Sequence, residues 1–357
     1  MDVVVATPDD RERFDAWVSA SPLADVLQSY EWGAVKQPTG WDALRLMVLD
    51  GERIRGTCSI LRRRFVRGVP PLLYAPRGPV VDPTDTAALS ALLGGMRARA
   101  GGAFLFKCDP AIEAGSDAEP ALRAAGLRSV EGGPFGGVQP RAVMVLDLDP
   151  DAEKIFEGFH KKWRYNVRLA ERKGVVVREG SRDDLGAFHD LYLETARRDG
   201  FVGRGRGYFD TLWNILEPRG MLKLFVAEHE GAVLSGIILF MMGERAMYVY
   251  GASSSERRNL MPNHLIQWTA IRWAATNGYR LYDFRGVSPV RDGRPAEPHI
   301  AGLNRFKEGF GARYVEYAGE FDLPLRRAWY AAWRRALPVA LAARARLRGG
   351  GALEPAD

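Results

Sequence analysis

The chain has 357 residues, 46% of them hydrophobic and 26% charged, which is room for two packed domains and too apolar for a disordered polymer. The balance of 50 Lys+Arg against 44 Asp+Glu gives a net charge of +6, which suits a phosphate-rich partner without marking a dedicated DNA binder. Two cysteines, Cys58 and Cys108, exclude a disulfide framework and a thiolate zinc site, and the five histidines are scattered without ligand spacing, so no metal is expected.

The first residues carry no basic stretch followed by an apolar core, so no signal peptide is expected. The longest apolar run, around Ile237–Met242, falls well short of the roughly 20 residues a bilayer span needs, and a cytoplasmic protein is expected. Phe14, Trp17 and Val18 supply the stripe of a first helix. Leu44–Leu61 reads as two strands around an Asp50-Gly51 turn, followed by a helix over Thr84–Ala100 and a strand in FLFKCDP. After strand material at Val143–Leu148, residues Ile155, Phe156, Phe159, Trp163 and Val167 mark one face of a single helix that Gly174 ends. Phe188, Leu191, Tyr192 and Thr195 mark another helix. A second hairpin, Leu222–Phe240 around Glu230-Gly231, leads to a helix over Asn263–Asn277 and a strand in YRLYDFRG. A Gly/Pro-rich loop, Arg285–Gly302, precedes a short helix in LNRFKEGFG. The tail from Pro324 reads as a helix with Trp329, Trp333 and Leu337 on one side and arginines on the other, kinked or broken at Pro338.

The two hairpin–helix–strand runs recur at an offset of about 180 residues, the mark of a structural duplication. The expected fold is therefore α/β, with two tandem domains of mixed sheet over 1–150 and 151–319, the segment 320–357 packing back on the first.

A mixed sheet with a splayed hairpin and a following helix is the outline of the acyltransferase fold that uses acetyl-CoA, so both domains are expected to be GNAT-like (acyl-CoA N-acyltransferase-like). Such a fold grips pyrophosphate with glycine-rich backbone amides at a helix N-terminus. The equivalent segments, Arg257–Leu265 and Pro76–Asp85, carry prolines in place of that loop, and neither half looks able to bind CoA in the usual way. No nucleophile elbow, P-loop or dinucleotide fingerprint stands between strand and helix, and Cys108 reads as a small core residue. Direct transfer between two bound substrates, without a cofactor, is the expected chemistry.

QSYEWGAVKQPTGW (Gln28–Trp41), LLYAPRGPVVD (Leu72–Asp82), KKWRYNVRLAERKGVVV (Lys161–Val177), YGASS (Tyr250–Ser254), YDFRG (Tyr282–Gly286) and GLNRFKEGFGARYVEYAGEFD (Gly302–Asp322) occur in this order along nearly the whole chain. Together they resemble the FemABX peptidyltransferases, in the shorter form without a coiled-coil insertion. The resemblance implies an enzyme that takes a small amino acid (Gly, Ala or Ser) from an aminoacyl-tRNA. It attaches that residue to the side-chain amine of the third stem residue of a peptidoglycan precursor, either lipid II or UDP-MurNAc-pentapeptide.

An aminoacyl ester is already activated, so the enzyme needs only to hold the amine against the carbonyl and to meet the oxyanion with positive charge. Only eight of the 50 basic residues are lysines, which singles out each one. By the resemblance, Lys307 faces the ester as oxyanion donor, with Phe306 beside it, and Asp109 stands where the family has an acid once considered as the base. Asp283 is expected to hold its loop rather than move protons. Lys36, Arg204, Tyr208 and Tyr250 take the family's precursor-binding places, whereas Phe104 and Phe106 stand where relatives present a tyrosine. Arg204 and Tyr208 are expected on one face of a helical turn.

Two basic stretches are candidates for tRNA phosphates: Lys161, Lys162, Arg164, Arg168, Arg172 and Lys173, and the tail residues Arg326, Arg327, Arg334 and Arg335. The tail alternatively suits anionic lipid at the inner face of the membrane, as a peripheral contact. Two other functions compete with peptidyl transfer: a CoA-dependent N-acyltransferase, and a non-catalytic protein that binds tRNA or the precursor.

Overall fold

The computed structural model describes residues 1–130 and 137–336, so Leu337 and Pro338 lie outside the described residues. Among the described residues the chain divides into two units, residues 1–141 with residues 316–336, and residues 142–315.

In the first unit, strands β1 (Asp2–Val5), β2 (Trp41–Asp50), β3 (Arg53–Arg63), β4 (Leu72–Ala75), β5 (Val80–Val81), β6 (Leu105–Cys108) and β7 (Arg128–Val130) accompany helices α1 (Arg11–Ala20), α2 (Trp32–Lys36), α3 (Thr86–Ala98) and α4 (Ala118–Ala124). The second begins with β8 (Ala142–Asp147), then helices α5 (Ala152–Glu157) and α6 (Lys161–Arg172), strand β9 (Val176–Glu179), and helices α7 (Leu185–Asp199) and α8 (Arg206–Leu216). It continues with β10 (Leu222–His229), β11 (Ala232–Met242), β12 (Arg245–Ser253), α9 (Pro262–Thr276), β13 (Leu281–Gly286), the short pair β14 (Val290–Arg291) and β15 (Arg294–Pro295), α10 (Ala301–Glu308) and β16 (Arg313–Glu316). Strand β17 (Glu320–Pro324) returns to the first unit, and residues 327–336 are helical.

The sheets repeat one topology. The first runs β1-β2-β3-β4-β6-β17-β7, and the second, read from its other edge, β9-β10-β11-β12-β13-β8-β16. In each, a hairpin (β2–β3, β10–β11) is followed by an antiparallel strand, a helix and a parallel strand. The second hairpin turns where the sequence predicts: Glu230 and Gly231 adopt φ of 51° and 76°, the left-handed pair a two-residue turn requires. In the first, Asp50 pairs with Arg53, so the turn is Gly51-Glu52 rather than Asp50-Gly51, with Gly51 at φ 60°. The last strand of each repeat is exchanged. β8 follows β7 in the chain yet pairs with β13, and β17 follows β16 yet pairs with β6 and β7.

Three further expectations are corrected. Residues 142–150, assigned from sequence to the first domain, fall in the second unit because β8 hydrogen-bonds to β13. The single helix expected over 155–174 is two helices. His160 takes an extended ψ of 139° and its Nδ1 accepts from the Lys162 amide, capping α6 afresh. The tail is not helical from Pro324: residues 320–324 pair as β17, and the helix starts at residue 327.

Each unit has its own core. Leu89, Leu92, Leu93 and Met96 of α3 are buried in the first. In the second, Phe156, Phe159, Trp268 and Phe310 form an aromatic knot with ring centres 4.9–5.5 Å apart, and the side chains released by the α5–α6 break fill it.

Candidate active site

The end of β13 departs from regular strand backbone at Arg285. Asp283 is 1% exposed, and its Oδ1 accepts from the Arg285 amide at 2.6 Å. This holds Arg285 at φ 60°, in the left-handed region. With Arg285 in that conformation, three consecutive carbonyls meet one donor. Lys307 Nζ donates to the oxygens of Phe284 (2.6 Å), Arg285 (3.3 Å) and Gly286 (2.6 Å). Asp283 therefore holds the loop, as expected from sequence.

Lys307 is only 3% exposed. Burial pulls its amine down to about 7, Asp283 pushing the other way and Arg285 adding to the drop. The carbonyl dipoles favour the ammonium form, whose three N–H groups match three acceptors. One turn earlier on α10, Asn304 Oδ1 accepts from the Ser288 amide and its Nδ2 donates to the Ser288 carbonyl. Helix α10 thus grips the strand end at two places.

Phe306, expected beside the lysine, packs into an aromatic group instead, 5.3 Å from the His264 ring and 5.2 Å from Phe310. Trp163 Nε1 donates to the Phe306 carbonyl at 2.9 Å. Gly309 is required there, because a Cβ would lie 2.2 Å from the Trp163 ring. His264 was not singled out by sequence. Asn166 Nδ2 donates to its Nε2 at 3.1 Å, and burial, with Lys162 adding, pulls its imidazole down to about 4, so it is neutral at physiological pH.

A second group in the same unit joins three of the expected precursor-binding residues. Tyr208 and Tyr250 share a hydrogen bond of 3.0 Å between hydroxyls, and the Arg204 guanidinium lies 5.2 Å from the Tyr208 ring centre. Arg204 does not share a helical turn with Tyr208, as the spacing suggested. Helix α8 starts at Arg206 with Gly205 as its cap, and Arg204 precedes it. Its carbonyl accepts from His189 Nε2 at 3.1 Å.

Lys36 and Asp109 belong to the first unit. Lys36 closes α2 and is 3% exposed, with Nζ 5.8 Å from the Trp32 ring centre. Asp109 is 2% exposed and both its oxygens are engaged: Oδ2 accepts from Tyr74 OH at 2.7 Å, Oδ1 from the Arg77 amide at 2.6 Å. Burial lifts its carboxyl to about 6 against the opposing pull of Arg77. Arg77 is 1% exposed, donates to the Pro140 carbonyl and lies 4.7 Å from the Tyr317 ring centre. Sequence reasoning missed it, although an arginine between proline and glycine in YAPRGP was a signal.

On the basic helix α6, Arg164 donates to the carbonyls of Phe159 and Glu157, and Arg168 covers the Phe156 ring. Lys161, Lys162 and Lys173 remain exposed.

A duplicated acyltransferase-like fold raises the question of CoA, and the residues do not fit it. At the N-terminus of α3, Asp85 places its own carboxylate where an anion would sit, accepting from the Ala88 amide and pairing with Arg55 at 2.6 Å. At the N-terminus of α9, Pro262 supplies no amide, and Met261 before it is left-handed at φ 58°. Among the described residues, no cluster of His, Cys, Asp and Glu suits a metal, and no helix is long and apolar enough to cross a membrane.

The molecule is thus a tandem acyltransferase-like protein whose buried lysine closes one strand end. The chain belongs to the FemAB family, which it matches over residues 10–120, 131–228 and 219–336. It is 30% identical to the lipid II:glycine glycyltransferase of Staphylococcus aureus strain MRSA252, over 89% of this chain and 92% of the relative. The crystal structure of FemX superposes with a TM-score of 0.85 at 28% identity, covering 93% of this chain and 99% of that one. A tandem GNAT protein from the clavulanic acid pathway shares the fold, with a TM-score of 0.53 at 13% identity, over 91% of this chain and 98% of that one.

Proposed function

We propose that this protein transfers a small amino acid (Gly, Ala or Ser) from an aminoacyl-tRNA to the side-chain amine of the third stem residue of a peptidoglycan precursor, building the interpeptide bridge. Lipid II is the favoured acceptor, as the name of the staphylococcal relative indicates, and UDP-MurNAc-pentapeptide is the soluble alternative. Such an enzyme works in the cytoplasm, at the inner face of the membrane when its acceptor is lipid-linked.

The observation that carries this reading is the buried Lys307 ammonium, held by carbonyls rather than carboxylates. In the reaction the acceptor amine attacks the ester carbonyl, a C–N bond forms, and an oxyanion develops. Lys307 exchanges its longest bond, 3.3 Å to the Arg285 carbonyl, for that oxyanion. Collapse breaks the ester C–O bond, and the departing ribose hydroxyl takes the proton the amine has lost. Phe306 and the neutral His264 keep the lysine's helix in place. Within the second unit Arg204, Tyr208 and Tyr250 bind the precursor's phosphates and carboxylates, and Lys36 is the precursor-binding residue of the first unit. The exposed lysines of α6 meet tRNA phosphates. Asp109, with both oxygens engaged, serves as a positioning residue for the Arg77 turn rather than as the base.

The test is a purified-enzyme assay with charged tRNA and either acceptor. Transfer of one small residue supports the reading. No transfer from any charged small amino acid, with acylation of an amine by acetyl-CoA instead, moves the protein to the rival enzyme class. Binding of tRNA or precursor without product makes it a binding protein.

A further inference from the structure

The first unit presents a surface that the transfer reaction does not use. The loop after β3 carries Arg64, Phe65, Val66 and Arg67, and Val66 is 77% exposed. Phe65 lies 5.9 Å from the ring of Trp333 on the terminal helix, and Phe104 lies 5.6 Å from the same ring on another side. Trp333 therefore ties the loop to the helix. One turn back, Trp329 is 41% exposed, an unusual fate for an indole. Arg67, Arg327 and Arg334 are exposed around these apolar side chains, whereas Arg64 is held by Asp42 at 2.9 Å.

Where the terminal helix leaves β17, a cleft of about 290 Å³ is lined by Arg97, Gly102, Ala103, Leu325 and Arg326, among others. The Arg326 guanidinium closes on Gly102, where a Cβ would come within 2.9 Å of it, and Arg62 lies beside Gly101. Arg62 and Arg326 thus flank the Gly101–Gly102 turn, and Arg97 lines the cleft beside it.

We propose that this face docks on an anionic lipid surface, with Val66 and Trp329 entering the headgroup region, Arg67, Arg327 and Arg334 over the acidic phosphates, and the Arg97–Arg326 cleft receiving one phosphodiester headgroup. Exposed valine beside arginines favours lipid over RNA, because a ribose-phosphate backbone offers nothing to an aliphatic side chain, whereas the acyl boundary does. Docking rests on the transferase reading for its purpose, which is to bring the chain to a lipid-linked acceptor. Its geometry is independent of that reading.

Vesicle flotation of the full chain tests it, comparing phosphatidylcholine alone with an equimolar mixture with phosphatidylglycerol. The chain should float with the mixed vesicles only, and high salt should release it. The triple variant Arg67→Gln, Arg327→Gln, Arg334→Gln should bind these vesicles on the order of 100-fold more weakly. Val66→Asp with Trp329→Ser should also detach the chain while circular dichroism stays native. The Val66→Asp, Trp329→Ser variant should keep wild-type turnover on soluble UDP-MurNAc-pentapeptide and lose it on vesicle-embedded lipid II. Equal flotation with neutral and acidic vesicles, or wild-type flotation of the triple variant, overturns the proposal. A triple variant that floats normally but loses tRNA in a filter assay assigns the face to RNA instead. If no acceptor is ever modified, the transferase reading falls, and flotation still decides the docking.

Discussion

Replacing Lys307 by methionine tests both halves of its assigned role, since methionine keeps the bulk of the stem and removes the charge. The carbonyls of Phe284, Arg285 and Gly286 then lose their shared donor in a place where the lysine itself is 3% exposed. A buried polar group left unsatisfied costs roughly 1–3 kcal/mol, and three of them, partly relieved by entering water, come to about 3 kcal/mol. For a unit of this size that is a fall of about 10 °C in melting temperature by scanning fluorimetry. The loss of the oxyanion donor should lower single-turnover transfer by about 100- to 1,000-fold, with precursor affinity measured by calorimetry little changed. The pH dependence carries a sign. The folded amine titrates at about 7, below the usual lysine value, so the native state binds fewer protons between the two values. Wild-type stability relative to the variant should therefore rise with pH across that window. Near-normal turnover removes the oxyanion role, and an unchanged melting temperature removes the carbonyl clamp.

Asp109→Asn should abolish a pH slope. The folded carboxyl titrates at about 6, above its unfolded value, so its contribution is complete below the unfolded value and is lost as pH rises through 6. Wild type should lose about 3 kcal/mol against the variant between roughly pH 4 and pH 6 in urea titrations, and a constant difference refutes this. Tyr208→Phe breaks the 3.0 Å bond to Tyr250 and should weaken precursor binding about fivefold with turnover unchanged, read as a split between KM and kcat. Equal KM values refute that assignment. A chain ending at Val315 lacks β17, leaving a gap between β6 and β7, and leaves Lys107 without Glu320 and Asp322, its partners at 2.6 and 3.0 Å. Its first unit should lose native near-ultraviolet dichroism, and a cooperative native transition in that unit would refute the strand exchange.

The duplication was legible because hairpin turns and helix stripes are local signals. Glu230-Gly231 marks its turn, and Asp50-Gly51 marks its own to within one residue, whatever packs around them. The destination of β8 and β17 was not legible, since a short apolar strand carries no label for which sheet it joins, and the exchange is decided by pairing across more than 100 residues. The break between α5 and α6 was missed for a similar reason. The apolar spacing continues through Gly158, and only the His160 cap and its amide bond to the Gly309 carbonyl, 2.9 Å long, interrupt it. In the site, the residue types at Lys307, Tyr208 and Tyr250 were visible, but not their neighbours. Nothing in the letters says that Arg285 turns left-handed, and the proline and glycine flanking Arg77 mark a turn without saying that its side chain is buried. Both depend on a carboxylate accepting a backbone amide, Asp283 in one unit and Asp109 in the other.

Lysine is scarce in this chain, and the half-buried Lys107 differs from the buried Lys307 in what surrounds it. Lys107 faces Glu320 and Asp322, so two negative charges more than cancel its own, and its role is to fasten β17 to β6. Lys307 faces three carbonyls, which solvate a cation without neutralising it. Its one close carboxylate, Asp283, already accepts from the Arg285 amide and lies 3.8 Å from that residue's guanidinium. Counting Asp283, Arg285 and Lys307 together, one positive charge is left over in a place shielded from water, where an anion gains most from it. A compact ammonium meets three converging oxygens, whereas the planar fork of arginine does not. A residue that both grips the strand end and offers net charge to a transient oxyanion is therefore lysine at this position, in a chain where 42 of the 50 basic residues are arginine.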